Sequence, residues 1–445
     1  MELFSNKQLK EMILPLLLEQ FLLMLVGLAD TFVVSFIGEA AVSGVSLVNS
    51  FNTIFLYLFT ALASGGAVVV SQYIGSRKKE QASEAVSQLL MISTLFSAVV
   101  MIVILILNEN IILWMFGRVE SAVKDACVTY LRISAYSYPA LAVYNTGAAL
   151  FRSVGKTKTT MKISIWANAL NVAGNLIGVF VLHAGVAGVA YPSLISRIFS
   201  AAAITVLCFR EQEGVRYFKK WIFRWNGRLL KQILGIAVPN GIESGIFQFV
   251  KVALSSVVAL FGTYQIAANG IAQSIWSVAA LVSVSMGPVF ITVIGQCMGA
   301  GEIGQAEYYF KKLLKMTLTI SILWNAGIFA LTPLLLRFYA VSEQTKRLVL
   351  WLVLIHNLAN AVIFPFADPL GKGLRAAGDV KFTMGISIFT TIGVRLVFSV
   401  LLGIWLDFGV VGIAIAMCLD WLTRAVLFYI RYKKGKWKTF QVIER

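Results

Sequence analysis

Residues 12–37 read M-I-L-P-L-L-L-E-Q-F-L-L-M-L-V-G-L-A-D-T-F-V-V-S-F-I. About 20 apolar residues suffice for a helix to cross a bilayer, so this run is a transmembrane span interrupted by two acids, Glu19 and Asp30. Its opening Pro15-x-x-x-Glu19 returns as Pro239 and Glu243, 224 residues later. Other pairs keep nearly the same offset. Gly44 returns as Gly270, and Gln72-x-x-Gly75 as Gln296-x-x-Gly299. Arg152, Gly155, Lys158 and Met161 return as Arg375, Gly378, Lys381 and Met384, while G-V-A-G-V-A from Gly185 returns as G-V-V-G-I-A from Gly409. A near-constant offset along the whole length marks an internal duplication.

The composition agrees with a membrane-embedded bundle. Of 445 residues, 58% are hydrophobic and 13% charged, about half the charged fraction of a soluble domain, and the mean hydropathy is +0.81. A soluble enzyme, a disordered chain and a disulfide scaffold are excluded together. The apolar runs are continuous rather than alternating, which argues against a β-barrel. The expected fold is an all-α polytopic membrane protein of twelve transmembrane helices in two six-helix bundles related by a pseudo-twofold axis. Spans are expected near 12–37, 43–73, 85–107, 122–150, 159–182, 186–209, 235–260, 266–298, 310–338, 343–371, 381–405 and 409–431. The N-terminal lobe then covers 1–209, a basic cytoplasmic linker 210–232, the C-terminal lobe 233–431, and a cytoplasmic tail 432–445. The first apolar stretch is too long for a signal peptide and is expected to anchor the protein.

The net charge of +17 reports orientation. Of the 38 Lys and Arg, 28 fall in the N-terminal segment, alternate loops, linker and tail, and six in the loops of the other face, Arg118 among them. By the positive-inside rule both termini are cytoplasmic in a multi-pass cell-membrane protein. Nucleic acid is not an expected partner. The four cysteines form no C-x-x-C, and His183 and His356 stand alone, so neither a metal site nor a cofactor is expected. No phosphate-binding loop, nucleophile elbow or metalloprotease motif appears, which argues against an enzyme.

Each half is an even-numbered bundle, a parallel repeat of the kind in which transport sites lie near the midplane between bundles. Ionisable groups inside the spans need a reason, because each costs at least ~2.5–3.5 kcal/mol at a helix centre. Asp30 lies roughly 27 Å along the first span at 1.5 Å per residue. Asn168, Asn171 and Asn175 share one face of the fifth span at i, i+3, i+7. By the repeat offset Asp30 corresponds to Leu254, Asn171 to Val394, Asn175 to Phe398 and Ser193 to Met417. A polar set present in one half and apolar in the other suits a cation-coupling site made of Asp30, Asn168, Asn171, Asn175 and Ser193. Amide oxygens can coordinate Na⁺ or hold a carboxyl whose protonation is linked to transport; the alternative is interhelical hydrogen bonding alone.

Other polar residues are candidates for a substrate cavity or gate: Glu19, Gln20, Glu243, Gln248, Asp368 and Arg395. Glu19 and Glu243 are shallow, and their duplication favours a shared structural job. Asp420 and Arg424, four residues apart, are expected to neutralise each other, as are Lys251 and Asp368. Gly65-Gly66 and Gly287-Pro288 are expected hinges in the second and eighth spans.

The chain resembles the multidrug and toxic compound extrusion (MATE) transporters over its length. The matching stretches are G-L-A-D-T from Gly27, W-A-N-A-L-N-V-A-G-N from Trp166, Y-Q-I-A-A-N-G from Tyr264, Q-C-M-G-A-G from Gln296 and G-L-R-A-A-G-D from Gly373. The resemblance implies an antiporter, coupled to H⁺ or Na⁺, that exports amphipathic cationic drugs or metabolites by alternating access. It also implies that Asp30 couples the cation, with Asn171, Asn175 and Ser193 completing the site. One branch has an acid at the position of Asn175. Another has carboxylates at the positions of Phe247 and, near Asp368, Phe364. This chain departs from both. A lipid-linked precursor flippase of the same superfamily is the alternative, kept open by Arg197, Arg395 and Arg424; a non-transporting scaffold or sensor is a third reading. Small-molecule substrate and membrane lipids are the expected partners, and a monomer is the default.

Overall fold

The computed structural model describes residues 3–116, 120–210, 212–339 and 341–443. Arg118 and Arg445, counted above among the loop charges, lie outside them. Among the described residues there is no strand beyond one isolated bridge between Gln212 and Val215. Ten helices are long and apolar enough to cross a membrane, and a bent pair makes eleven. Large apolar side chains such as Trp114, Ile106 and Phe249 stand exposed on them, as lipid-facing positions do.

The first compact unit is Ser5–Gly241. It contains α1 (Asn6–Ser35), α2 (Glu39–Gly75), α3 (Lys79–Phe116), α4 (Ser121–Tyr136), α5 (Tyr138–Ser153), α6 (Thr157–Leu176), α7 (Ala187–Phe209), the short α8 (Lys219–Ile222) and the first half of α9 (Gly227–Val258). A reciprocal cap starts α1: Ser5 Oγ accepts from the Gln8 amide at 3.2 Å, and Gln8 Oε1 accepts from the Ser5 amide at 2.8 Å. The expected fourth span is divided at Ser137 into α4 and α5, each of 16 residues and each too short to cross alone. Pro139, in the first turn of α5, cannot donate to the preceding turn, which ends the helix there.

The second unit runs from Ile242 and takes in Phe4, whose backbone N–H and C=O both bond Tyr309 Oη at 2.8 Å. It holds the rest of α9, then α10 (Thr263–Ala279), α11 (Leu281–Gly299), α12 (Ile303–Leu336), α13 (Glu343–Val362), α14 (Phe364–Ala367), α15 (Pro369–Ala376), α16 (Val380–Phe389), α17 (Val397–Val400) and α18 (Gly409–Lys433). The tenth span bends by 56° between α13 and α14–α15, where Pro365 and Pro369 remove two donors. Packing divides the chain inside α9, beyond Pro239, rather than at the 210–232 linker. The early turns of α9 stay with the first unit because Tyr73 Oη donates to Gln232 Oε1 at 3.0 Å and Gly65 lies against Ala237.

The expected glycine hinges are not hinges. α2 runs unbroken through Gly65-Gly66, and α11 through Gly287-Pro288. A Cβ at Gly65 would meet Ala237 at 2.7 Å, and one at Gly66 would meet Leu89 at 2.3 Å, so these glycines allow close helix contact. The break in the second unit falls instead at Ala280. There α12 satisfies two carbonyls, Trp324 Nε1 donating to Val278 at 2.9 Å and Asn325 Nδ2 to Ala279 at 3.4 Å.

The duplicated G-V-A-G-V-A and G-V-V-G-I-A runs have a common packing reason. A Cβ on Gly188 would stand 2.6 Å from the Gly178 carbonyl oxygen, and one on Gly412 would stand 2.6 Å from the Leu402 carbonyl carbon. Each run opens the last helix of its lobe against a π-helical turn, Ile177–Val181 or Leu401–Trp405.

Candidate cation site

Asp30 lies five residues before the end of α1, which packs along α6. Its Oδ1 accepts from Asn175 Nδ2 at 2.6 Å. The same amide nitrogen donates to Asn171 Oδ1 at 3.1 Å, Asn171 Nδ2 donates to Ser193 Oγ at 2.9 Å, and Ser193 Oγ donates to the Val189 carbonyl at 3.1 Å. The chain of bonds joins α1, α6 and α7. It gathers four of the five expected residues: Asp30, Asn171, Asn175 and Ser193. Asn168 does not join them and reaches Ser164 Oγ at 3.5 Å.

The orientation of these bonds fixes what the site can hold. Both Asn175 donors are used, while its Oδ1 is buried without a hydrogen-bond partner. Asp30 Oδ2 has no hydrogen bond among the described residues. Two oxygens that can only accept from a carboxylate and an amide thus lack a donor. Asp30 lines a cavity of about 90 Å³ together with Thr31, Ser46, Asn49, Tyr130, Ser193 and several valines, and Asn175 is not in its wall. A water needs roughly 10–15 Å³ on this measure, so there is room for an ion with several waters and none for a drug-sized molecule. Among the described residues no three His, Cys, Asp or Glu side chains converge. One carboxylate with neutral oxygens suits a proton or a monovalent cation.

Arg197, on α7, was expected only as one of the arginines that keep the flippase alternative open. Its Nη1 donates to Ser137 Oγ at 2.6 Å, at the break between α4 and α5. Thr31, Ser46, Asn49 and Tyr130 gave no sequence signal, because single hydroxyls and amides on apolar helices have no periodicity to stand out against.

The remaining candidates are engaged elsewhere. Glu19, 2% exposed, accepts from Arg152 Nη2 at 3.2 Å, Thr160 Oγ1 at 3.1 Å and Tyr144 Oη at 3.3 Å. Glu243 accepts from Arg375 Nη2 at 2.5 Å, and Arg375 Nε donates to Thr383 Oγ1 at 3.1 Å. A Glu–Arg pair with a Thr beside it thus recurs in both lobes, the Thr on the glutamate in the first and on the arginine in the second. The duplicated Glu and duplicated Arg were legible separately, and their common offset was the signal that they belong together. Gln20 is half-buried and Gln248 buried. Asp368 pairs with Lys372 at 2.8 Å, one turn along its own helix, and not with Lys251, which is exposed on α9. A local i,i+4 partner is already within reach and needs no second helix.

In the second lobe Asp420 takes Arg424 Nη2 at 3.0 Å, as expected, and Arg395 Nε stands 3.4 Å from its other oxygen. Arg424 also donates to Thr390 and Thr391, and Arg395 lies 5.0 Å from the centre of the Phe247 ring. Phe364 packs against Trp276 and Trp421. The two positions that carry acids in another branch of the resemblance are thus aromatic and packed. With Arg395 and Arg424 drawn to one carboxylate, the diphosphate clamp of a flippase is not favoured.

This is a multi-pass, all-helical membrane protein built as two lobes, and comparison with known proteins gives its class. The MatE family model matches residues 15–177 and 239–401, one match per lobe, and the chain belongs to this family, one of transporters rather than enzymes. It is 28% identical to the uncharacterized transporter YisQ of Bacillus subtilis, over 95% of this chain and 93% of that one. It is 22% identical to a probable multidrug resistance protein NorM of Thermotoga maritima, over 99% and 95%. Its fold matches a solved structure described as the outward-facing conformation of a multidrug resistance MATE family transporter of the MOP superfamily, with a TM-score of 0.90, 20% identity and coverage of 98% and 97%.

Proposed function

We propose that this chain is an antiporter that couples inward movement of H⁺ or Na⁺ at Asp30 to export of amphipathic, cationic drugs or metabolites by alternating access, with both termini cytoplasmic. The observation that carries the reading is Asp30, bonded to Asn175 at 2.6 Å and lining a cavity of about 90 Å³, within a polar set whose repeat-related positions in the second lobe are apolar. A bare carboxylate away from bulk water costs several kcal/mol. Asp30 therefore favours a conformation that hydrates it when empty, and tolerates enclosure when protonated or ion-bound. Because Asn175 and Asn171 tie Asp30 to α6 and α7, loading the site alters how α1 is held. That gives one bound ion a mechanical consequence. The names of the relatives support small-molecule export.

The test is reconstitution in liposomes, with a Na⁺ or a proton gradient imposed in turn and a fluorescent organic cation followed. Uptake driven by one gradient and abolished by its ionophore is expected. Dye movement indifferent to both gradients would contradict coupling.

A further inference from the structure

The 210–231 linker is not a slack tether. Ser83 Oγ and Ser87 Oγ accept from the Arg216 and Phe218 amides at 3.2 and 3.1 Å. Gln88 Nε2 donates to the carbonyls of Trp221 and Arg224, and Gln88 Oε1 accepts from the Asn226 amide at 3.0 Å. Asn226 Nδ2 donates to Glu84 Oε1 at 2.8 Å. The linker is thus bonded along the opening turns of α3, from Ser83 to Gln88.

That stretch of α3 has a defined depth. Beyond Gln88 the helix becomes a predominantly apolar run, Leu89–Leu107, long enough to cross a bilayer, which puts Gln88 at the expected start of the span. The six residues from Ser83 to Gln88 span roughly 8 Å, close to the thickness of one headgroup layer. The surface held at this level is aromatic and cationic. Phe223 is 87% and Trp225 65% exposed, on either side of exposed Arg224. Lys219, Lys220, Arg228 and Lys231 are exposed as well. Residues 216–231 contain six basic residues and no acid. Trp221 is turned inward, T-shaped against Phe218 at 4.5 Å. A cleft below holds Glu80 and Glu84 with Arg224, and Glu84 is taken by Asn226.

We infer that the linker is a binding site for anionic phospholipid headgroups, with Phe223 and Trp225 seated at the hydrocarbon edge and Lys219, Lys220 and Arg224 on the phosphates. Exposed aromatic rings gain nothing in bulk water, whereas interfacial aromatics beside basic residues match an anionic leaflet. The inference does not depend on which ion drives transport.

The test uses the full-length protein in detergent micelles doped with phosphatidylglycerol or phosphatidylcholine, reading the unfolding temperature at low and high salt. Phosphatidylglycerol is expected to raise it by several degrees over phosphatidylcholine, with the difference shrinking in high salt, since only binding to the folded state stabilises. The K219Q/K220Q/R224Q variant is expected to match the native protein in phosphatidylcholine and to lose at least half of the phosphatidylglycerol increment. Headgroup-level quenching is read separately: a lipid brominated high on its chains should quench native fluorescence more than that of Trp225→Phe. Equal stabilisation by both lipids, a full increment in the triple variant, or an increment reproduced by inorganic phosphate alone would each overturn the inference.

Discussion

The two lobes are copies in what holds them together and differ in what they hold. Glu19 pairs with Arg152 in the first lobe as Glu243 pairs with Arg375 in the second, with Thr160 donating to the glutamate in one and Thr383 accepting from the arginine in the other. The outer glycine contacts, Gly178 with Gly188 and Gly412 with Leu402, are duplicated too. The interiors diverge. One has Asp30 bonded to the neutral amide of Asn175 beside a small cavity; the other has two arginines drawn to Asp420. A duplicated element answers a need that both bundles share, and an unduplicated one marks where the halves have taken different work.

The duplicated cluster is where substitution should act most strongly on stability. Glu19 is enclosed while Glu243 keeps 17% side-chain exposure. Breaking a buried pair costs about 3–5 kcal/mol, and breaking a partly hydrated one costs less. Glu19→Gln is therefore expected to lower the unfolding temperature in micelles more than Glu243→Gln. Equal losses would mean that the two clusters are interchangeable despite their burial.

Smaller effects sharpen the contrast between interiors. Asn175→Phe installs the residue that occupies the corresponding place in the second lobe. It removes the amide that orients Asp30, and loss of such a supporting bond typically weakens ion binding about 10–100-fold. The concentration of driving ion needed for half-maximal flux should rise accordingly; an unchanged value would remove Asn175 from the site. Asn168→Ala is the smallest change. Among the described residues it bonds Ser164 alone, so stability should stay within about 0.5 kcal/mol and flux within twofold. A large loss would restore Asn168 to the cation site.

The repeat, the spans and the asymmetric polar set were legible because each is a pattern of residue types along the chain. Periodicity located Asn171 and Asn175 on one helix face, and the repeat offset singled out Asp30 and Ser193. Where helices break was not legible. Glycine pairs suggested bends at Gly65 and Gly287, but a bundle uses small residues for contact as readily as for flexing, and Gly65 is filled by the approach of Ala237. The break at Ala280 has no local cause in its own sequence; side chains of α12 cap it from outside. The Lys251–Asp368 expectation failed for a related reason. Charge alone does not specify a partner when Lys372 stands one turn away.

The central claim is that coupling resides in the first lobe. Gradient-driven uptake in proteoliposomes by Asp30→Asn, beside Glu243→Gln at matched protein level, tests it most directly. The account predicts that Asp30→Asn abolishes uptake against the dye gradient, while Glu243→Gln retains it in proportion to folded protein. Undiminished concentrative uptake by Asp30→Asn would contradict the account and move coupling out of this cavity.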